Sequence, residues 1–297
     1  MVWPGYLLVA AAAISWGAQS AIAKLLLTSG SSPAALVSAR TATAFLLMAA
    51  ALGLADRRLL RTRPRELGHL ALLGIVGMAL SQYGYYAALT RIPVATALLI
   101  IYTSPLFVLA GSALWDREPL RAGDVIAAVV TLAGAGLVIR AHDAGSLGFH
   151  AVGVMAAILS ALTFAFYSLW ARRMAPRVSP WTGLTYSLGC AALFWIPVAP
   201  PWAFLSAEHP PRMWLAFAVV VVFGTLVPFG LYLAGLRWIS AAHANITSTI
   251  EPVVAAAGAY VVLGEALAWP QLVGGLLVLS GVGALQIRPR GGAPTTA

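Results

Sequence analysis

Apolar residues run along this chain in blocks of about twenty, separated by short connections that carry most of the charge. The blocks lie near 5–27, 33–54, 67–88, 93–114, 123–139, 151–171, 180–198, 214–236, 241–263 and 272–287. At 1.5 Å rise per residue, a helix of roughly 20 residues crosses a bilayer core of about 30 Å. The stretch 94–113 is apolar on all sides, whereas a membrane β-strand alternates apolar and polar over about ten residues. The pattern therefore predicts an all-α integral membrane protein with ten transmembrane helices and no barrel.

Charge in the connections sets the orientation. The loops after the second, fourth, sixth and eighth blocks, with the C-terminal end, hold Arg57, Arg58, Arg61, Arg63, Arg65, Arg117, Arg121, Arg172, Arg173, Arg177, Arg237, Arg288 and Arg290. The other face holds only Arg91, Arg140 and Arg212. By the positive-inside rule both termini are expected in the cytoplasm. Ala21-Ile22-Ala23 resembles a signal-peptidase site, but no Lys or Arg precedes the first block, so the first helix is expected to stay attached.

Composition then narrows the classes. Of 297 residues, 61% are hydrophobic and 9% charged, against about a quarter charged in soluble domains. Ten helices of roughly 20 residues occupy about 200 positions, which leaves no room for a soluble domain. The net charge of +9 is accounted for by loop arginines, so a lipid bilayer rather than nucleic acid is the expected partner. Cys190 is the single cysteine, which excludes an internal disulfide.

Sliding the chain on itself by 147 residues aligns Ser32-Pro33 with Ser179-Pro180, Ala95 with Ala242, Pro105 with Pro252, Glu118 with Glu265, Leu120 with Leu267, Gly134 with Gly281 and Gly136 with Gly283. Apolar composition does not account for Pro and Glu spaced alike in both copies. The match predicts two five-helix repeats, 1–147 and 148–297. Five spans per repeat insert the second copy in the opposite sense, so the repeats are inverted and a substrate site is expected between them near the midplane.

The segment Pro93-Val94-Ala95-Thr96-Ala97 through Tyr102-Thr103-Ser104-Pro105-Leu106-Phe107 to Glu118-Pro119-Leu120, with its weaker copy at Glu251-Pro252 and Leu263-Gly264-Glu265, resembles the EamA-type drug/metabolite transporters. The resemblance covers essentially the whole chain. It implies a ten-helix bundle in a bacterial inner membrane that exports small metabolites, often amino acids, by alternating access. The first copy departs from the family pattern, reading Asp116-Arg117-Glu118 where a Gly usually precedes the Glu.

No catalytic or cofactor motif appears. The one lysine, Lys24, lies in Ile22-Ala23-Lys24-Leu25 and cannot complete a phosphate-binding loop. Nucleophile-elbow, zinc-helix and Cys/His patterns are also missing from the sequence, so neither an enzyme nor a cofactor is expected. Transport would run on a gradient.

Ionisable groups at membrane depth cost about 2.5 kcal/mol or more each and mark pathways by default. Glu251 is near the middle of the ninth block and shares a helical stripe with His243 and Thr247. Substrate or proton contact fits it, and so does pairing with Arg40. His243, near the cytoplasmic end, also fits as a packed or hydrated side chain. Arg40 presents a fork that matches a substrate carboxylate, or holds helix-end carbonyls; Lys24 is a second cation that can snorkel to water. Trp16 and Gln19 on the first helix, Gln82, Tyr85 and Tyr86 on the third, Tyr102 on the fourth, and Tyr167 and Trp170 on the sixth fit a cavity wall or helix packing. Trp3, Trp115, Trp181, Trp202, Trp214, Trp238 and Trp269 are read as an interfacial belt.

Pro105 and Pro252 release the carbonyls of Ile101 and Ser248, giving paired kinks that serve as hinges or shape the cavity. The glycine pairs Gly134/Gly136 and Gly281/Gly283 are read as internal packing, with a homodimer face as the alternative. The expected function is a secondary transporter, most simply a monomer, for a small-molecule substrate: an amino acid with a large apolar or aromatic side chain. Cationic drugs, nucleosides or sugars are alternative cargoes. An intramembrane enzyme or lipid-handling protein would need a nucleophile that Glu251 and His243 lack beside them.

Overall fold

In a computed structural model of the chain, the described residues are 2–28, 32–115, 117, 119–141, 150–263 and 268–287. Glu118, Glu265, Leu267, Arg288 and Arg290, and the side chains of Ser20 and Lys24, lie outside the described residues. Among the described residues no strand occurs. In lipid a helix satisfies its own backbone groups, which an open strand cannot do.

The helices of eight residues or more are α1 (Trp3–Thr28), α2 (Pro33–Ala55), α3 (Pro64–Leu89), α4 (Val94–Ile101), α5 (Ser104–Trp115), α6 (Ala122–Val138), α7 (Ala151–Met174), α8 (Pro180–Trp195), α9 (Pro211–Gly235), α10 (Ala241–Ser248), α11 (Glu251–Leu263) and α12 (Trp269–Ile287). Pro33–Ala55, Pro64–Leu89, Val94–Trp115, Ala151–Met174 and Pro211–Gly235 are long and apolar enough to cross a membrane. Ala122–Val138 and Trp269–Leu285 are apolar but shorter.

Helix starts follow local rules. Pro33, Pro64, Pro180 and Pro211 each open a helix, where the missing N–H costs nothing. Ser32 caps α2 by accepting from the Ala35 N–H at 3.1 Å, and Ser240 caps α10 by accepting from the His243 N–H at 3.2 Å. The starts of α2 and α8, α3 and α9, α4 and α10, α5 and α11, and α6 and α12 all fall 147 residues apart. Each of α3 and α9 contains a π-helical stretch, Leu73–Ala79 and Val222–Leu226.

Two blocks that the sequence presents as continuous are each two helices. The chain turns at Tyr102 and Thr103 between α4 and α5, and at Thr249 and Ile250 between α10 and α11. Pro105 and Pro252 become the second residues of α5 and α11. A proline cannot donate to the preceding turn, so the first half ends and a new helix begins, a larger change than a kink.

Packing brings distant segments together. α1 lies along α9, α7 along α3, α2 along α8, and α6 along α12. At the α6–α12 crossing a Cβ on Gly134 would stand 2.7 Å from the Gly274 carbonyl oxygen, and one on Gly274 would stand 2.5 Å from that of Gly134. Gly281 likewise faces Thr131 at 2.6 Å. These glycines pack internally, whereas Gly283 has open space around it.

The outer surface carries Leu46, Leu114, Ile126, Met155, Leu193, Leu215 and Leu276, all exposed. Such an apolar surface suits lipid rather than water. All seven tryptophans read as a belt are exposed, while Trp16 and Trp195 are buried.

Candidate functional site

The turns between α4 and α5 and between α10 and α11 open onto one cavity, with about 770 Å³ of empty space including the part open to solvent. Discontinuous helices of this kind place helix ends and freed polar groups where a solute can reach them. Of the side chains singled out in the sequence, Trp16, Gln19, Arg40, Gln82, Tyr85, Tyr86, Tyr102, Pro105 and Glu251 line it. Helices from both halves of the chain supply these residues.

Arg40, on α2, is 3% exposed. Its Nε and Nη2 donate to Thr225 Oγ1 at 3.0 and 2.7 Å, and Nη2 also donates to the Gly224 carbonyl at 2.9 Å. Nη1 donates to Gln82 Oε1 at 3.3 Å and to the Tyr86 hydroxyl. Gly224 and Thr225 belong to the π-helical stretch of α9. Widening a helix to π geometry frees carbonyls from their usual partners, and the guanidinium occupies that opening. Trp16 Nε1 donates to the same Gly224 carbonyl at 3.2 Å, and Ser15 Oγ to that of Phe223 at 2.6 Å.

Every partner of Arg40 is neutral, so its positive charge acts on the cavity. Among the described residues no carboxylate lies within ion-pair distance of it, and Glu251 has no hydrogen bond or ion pair. The pairing of Arg40 with Glu251 considered from the sequence is therefore not present. Close approach of α1 places Glu251: a Cβ on Gly17 would stand 2.6 Å from the Glu251 carbonyl oxygen.

Other candidates lie elsewhere. His243 and Thr247 do not share a stripe with Glu251, because the helix breaks between them. Tyr6 OH and His243 Nδ1 are 2.6 Å apart, and His243 Nε2 is 3.5 Å from Asp124 Oδ1; this joins α1, α10 and α6 outside the cavity. Thr247 is buried, with its hydroxyl donating to the His243 carbonyl at 2.7 Å. Pro252 is buried and not in the lining.

Tyr167 is fully buried in a ring cluster with Phe164, Phe229 and Tyr232, at 6.2, 5.5 and 6.3 Å. Trp170 stacks on Phe166 at 5.4 Å and donates to the His69 carbonyl at 3.1 Å. Both rings are on α7, and neither lines the cavity.

The cavity is also lined by Ser81, Ser104, Ser160, Phe164, Phe229, Asn245, Ser248 and Thr249, none of which the sequence marks as a site residue. Small hydroxyls in apolar helices attract no notice because they usually bond back to their own helix. Thr103, Ser248 and Thr249 do so, donating to the carbonyls of Ile100, Asn245 and Ile246 at 2.6, 2.7 and 2.6 Å. The position of Ser104 beside Pro105 was the one available signal.

The arrangement offers a polar chamber with a cation, a carboxylate and aromatic walls, suited to holding a small solute.

Comparisons with known proteins agree. The model of the EamA-like transporter family matches residues 3–140 and 151–285. An uncharacterised transporter of Archaeoglobus fulgidus is 29% identical over 212 residues, covering 70% of this chain and 74% of that one. A probable terminal-alkyne amino-acid exporter of Streptantibioticus cattleyicolor is 25% identical over 78% of this chain and 77% of its own. The aromatic amino acid exporter YddG of Ancylobacter novellus is 35% identical over 123 residues, 40% of this chain and 42% of that one. A crystal structure superimposes with a TM-score of 0.81 over 97% of this chain and 98% of its own, at 23% identity, which speaks for the fold. The chain is an integral membrane protein and belongs to the EamA-like transporter family.

Proposed function

We propose that this protein is a secondary transporter of the bacterial inner membrane that exports amino acids with large apolar or aromatic side chains. Ten transmembrane helices in two inverted repeats, 1–147 and 148–297, would rock about the cavity, with both termini cytoplasmic. Helix starts that recur at 147-residue intervals and the paired packing of α1 on α9 and α7 on α3 support the duplication. The arginine distribution supports the orientation.

The observation that carries the substrate class is the cavity itself. Arg40 and Glu251, each without an ionic partner among the described residues, share it with Trp16, Tyr85, Phe164 and Phe229. Opposite charges in one chamber complement a zwitterion, and the rings accommodate an apolar side chain. Two relatives carry amino-acid exporter names, which agrees with this choice. A monomer suffices, since the cavity is built within one chain.

Counterflow with purified protein in proteoliposomes tests the reading. Vesicles are preloaded with the twenty amino acids, and each is offered labelled in turn, with and without a pH gradient. Uptake is expected for the large apolar and aromatic members. No uptake of any amino acid by folded protein overturns the assignment and redirects the search to other small solutes.

A further inference from the structure

Two residues that line the cavity each carry a buried side-chain oxygen without a hydrogen-bond partner among the described residues: the Ser104 hydroxyl, which can donate, and Gln19 Oε1, which only accepts. Ser104 is 2% exposed and lines the cavity; its hydroxyl has no hydrogen-bond partner among the described residues. Gln19 is 8% exposed and lines the cavity too. Its Nε2 donates to the Trp16 carbonyl at 3.2 Å. Since a carbonyl only accepts, that contact fixes Oε1 as the end with no partner. A buried polar group without a partner is costly, and at the wall of a cavity it points to a ligand that completes the bond.

The location of Ser104 adds to this. It is the first residue of α5, at a helix end whose dipole favours negative charge. Thr103, Ser248 and Thr249 at the same two breaks commit their protons to helix carbonyls, and Ser104 does not. The residue 147 positions later, at the start of α11, is Glu251. One of the two paired helix starts thus carries the chain's own carboxylate, and the other carries a serine with a free donor. Arg40 offers no alternative seat, because its five N–H groups are already engaged by Thr225, Gly224, Gln82 and Tyr86.

We infer that Ser104 at the start of α5 receives the carboxylate of the transported amino acid, while Gln19 Oε1 and Glu251 receive its ammonium group. This assignment rests on the amino-acid reading above. Arg40 then supports the carboxylate through its field and holds the π-helical turn, without direct contact.

The experiment uses full-length protein in proteoliposomes with labelled L-phenylalanine, competed by phenethylamine, which lacks the carboxylate, and by 3-phenylpropionate, which lacks the amine. The same trio built on leucine serves if leucine is the better substrate. Ser104→Ala removes a hydroxyl that bonds nothing among the described residues, so folding is expected to be retained. Half-inhibitory concentrations of phenylalanine and phenylpropionate are expected to rise roughly tenfold, as for a lost hydrogen bond to a charged group, with phenethylamine unchanged. Gln19→Leu is expected to do the converse, weakening phenylalanine and phenethylamine and sparing phenylpropionate. Equal effects of Ser104→Ala on all three compounds, or none, overturn the assignment while leaving amino-acid transport intact. Wild-type protein that carries no amino acid at all overturns the transport reading, and the assignment falls with it.

Discussion

Arg40 reaches across from α2 to donate to the Gly224 carbonyl at 2.9 Å, inside the π-helical turn of α9. The bond joins the two halves of the chain beside the cavity and satisfies a carbonyl that an ordinary α-helix would have satisfied itself. A deeply placed cation thereby becomes part of the fold as well as of the cavity's electrostatics.

Truncating Arg40 to Ala is expected to leave Gln82 Oε1, Thr225 Oγ1 and the Tyr86 hydroxyl without the donor they accept from, while the Gly224 carbonyl keeps Trp16 Nε1. At roughly 1–3 kcal/mol per unsatisfied buried group, the unfolding midpoint in detergent should fall by about 5 °C or more. Arg40→Lys keeps the charge but not the fork and should recover only part of the loss. A midpoint within a degree of wild type for Arg40→Ala would contradict the structural role.

Glu251 lines the cavity without a partner among the described residues. If it carries a coupling proton, Glu251→Gln is expected to abolish uptake driven by a pH gradient and to spare counterflow of the same amino acid. Flux measured both ways on one preparation decides this. Loss of both activities would assign Glu251 to binding or structure instead.

At Gly17 a Cβ would stand 2.6 Å from the Glu251 carbonyl oxygen, whereas Gly258 on α11 has nothing within 4 Å. Gly17→Ala is therefore expected to cost roughly 1–3 kcal/mol through overpacking and to lower transport by displacing Glu251. Gly258→Ala should be neutral or stabilising by about 0.5–1 kcal/mol, because alanine favours a helix interior. Melting curves of the two variants side by side provide the check.

The same logic applies at the α6–α12 crossing. Gly134→Ala and Gly274→Ala each place a methyl against the partner's carbonyl, so each should destabilise. The pair is expected to be non-additive, since both changes open one contact. Gly283→Ala meets open space and should leave the melting curve unchanged or shifted upward. A double-mutant cycle that came out strictly additive would argue that the crossing relaxes elsewhere.

His243 links α10 to Tyr6 and Asp124 and does not line the cavity. Replacing it with Phe is expected to change the maximal counterflow rate while preserving the order in which amino acids are preferred. A reordered preference would place His243 in contact with substrate after all.

Much of the site was legible because helix periodicity is local. Trp16 and Gln19, and likewise Gln82, Tyr85 and Tyr86, were grouped by spacing on one helix, and both groups line the cavity. Tyr167 and Trp170 are aromatic candidates on the sixth block with no such grouping, and α7 turns those rings into a buried cluster and toward His69. Spacing reveals which residues share a face and is silent on what that face meets.

The amino-acid sequence by itself determined the apolar helices, the membrane setting and the family, because lipid requires long apolar runs and each run declares itself locally. It also located the prolines at which two helices break. Tertiary structure alone decided that the breaks become complete restarts, that Arg40 fills a π-helical opening 184 residues away, and that Ser104 remains without a partner among the described residues. Those outcomes depend on which helix packs against which. That is settled by side-chain fit and hydrogen-bond satisfaction between segments far apart in the chain, and no local pattern encodes it.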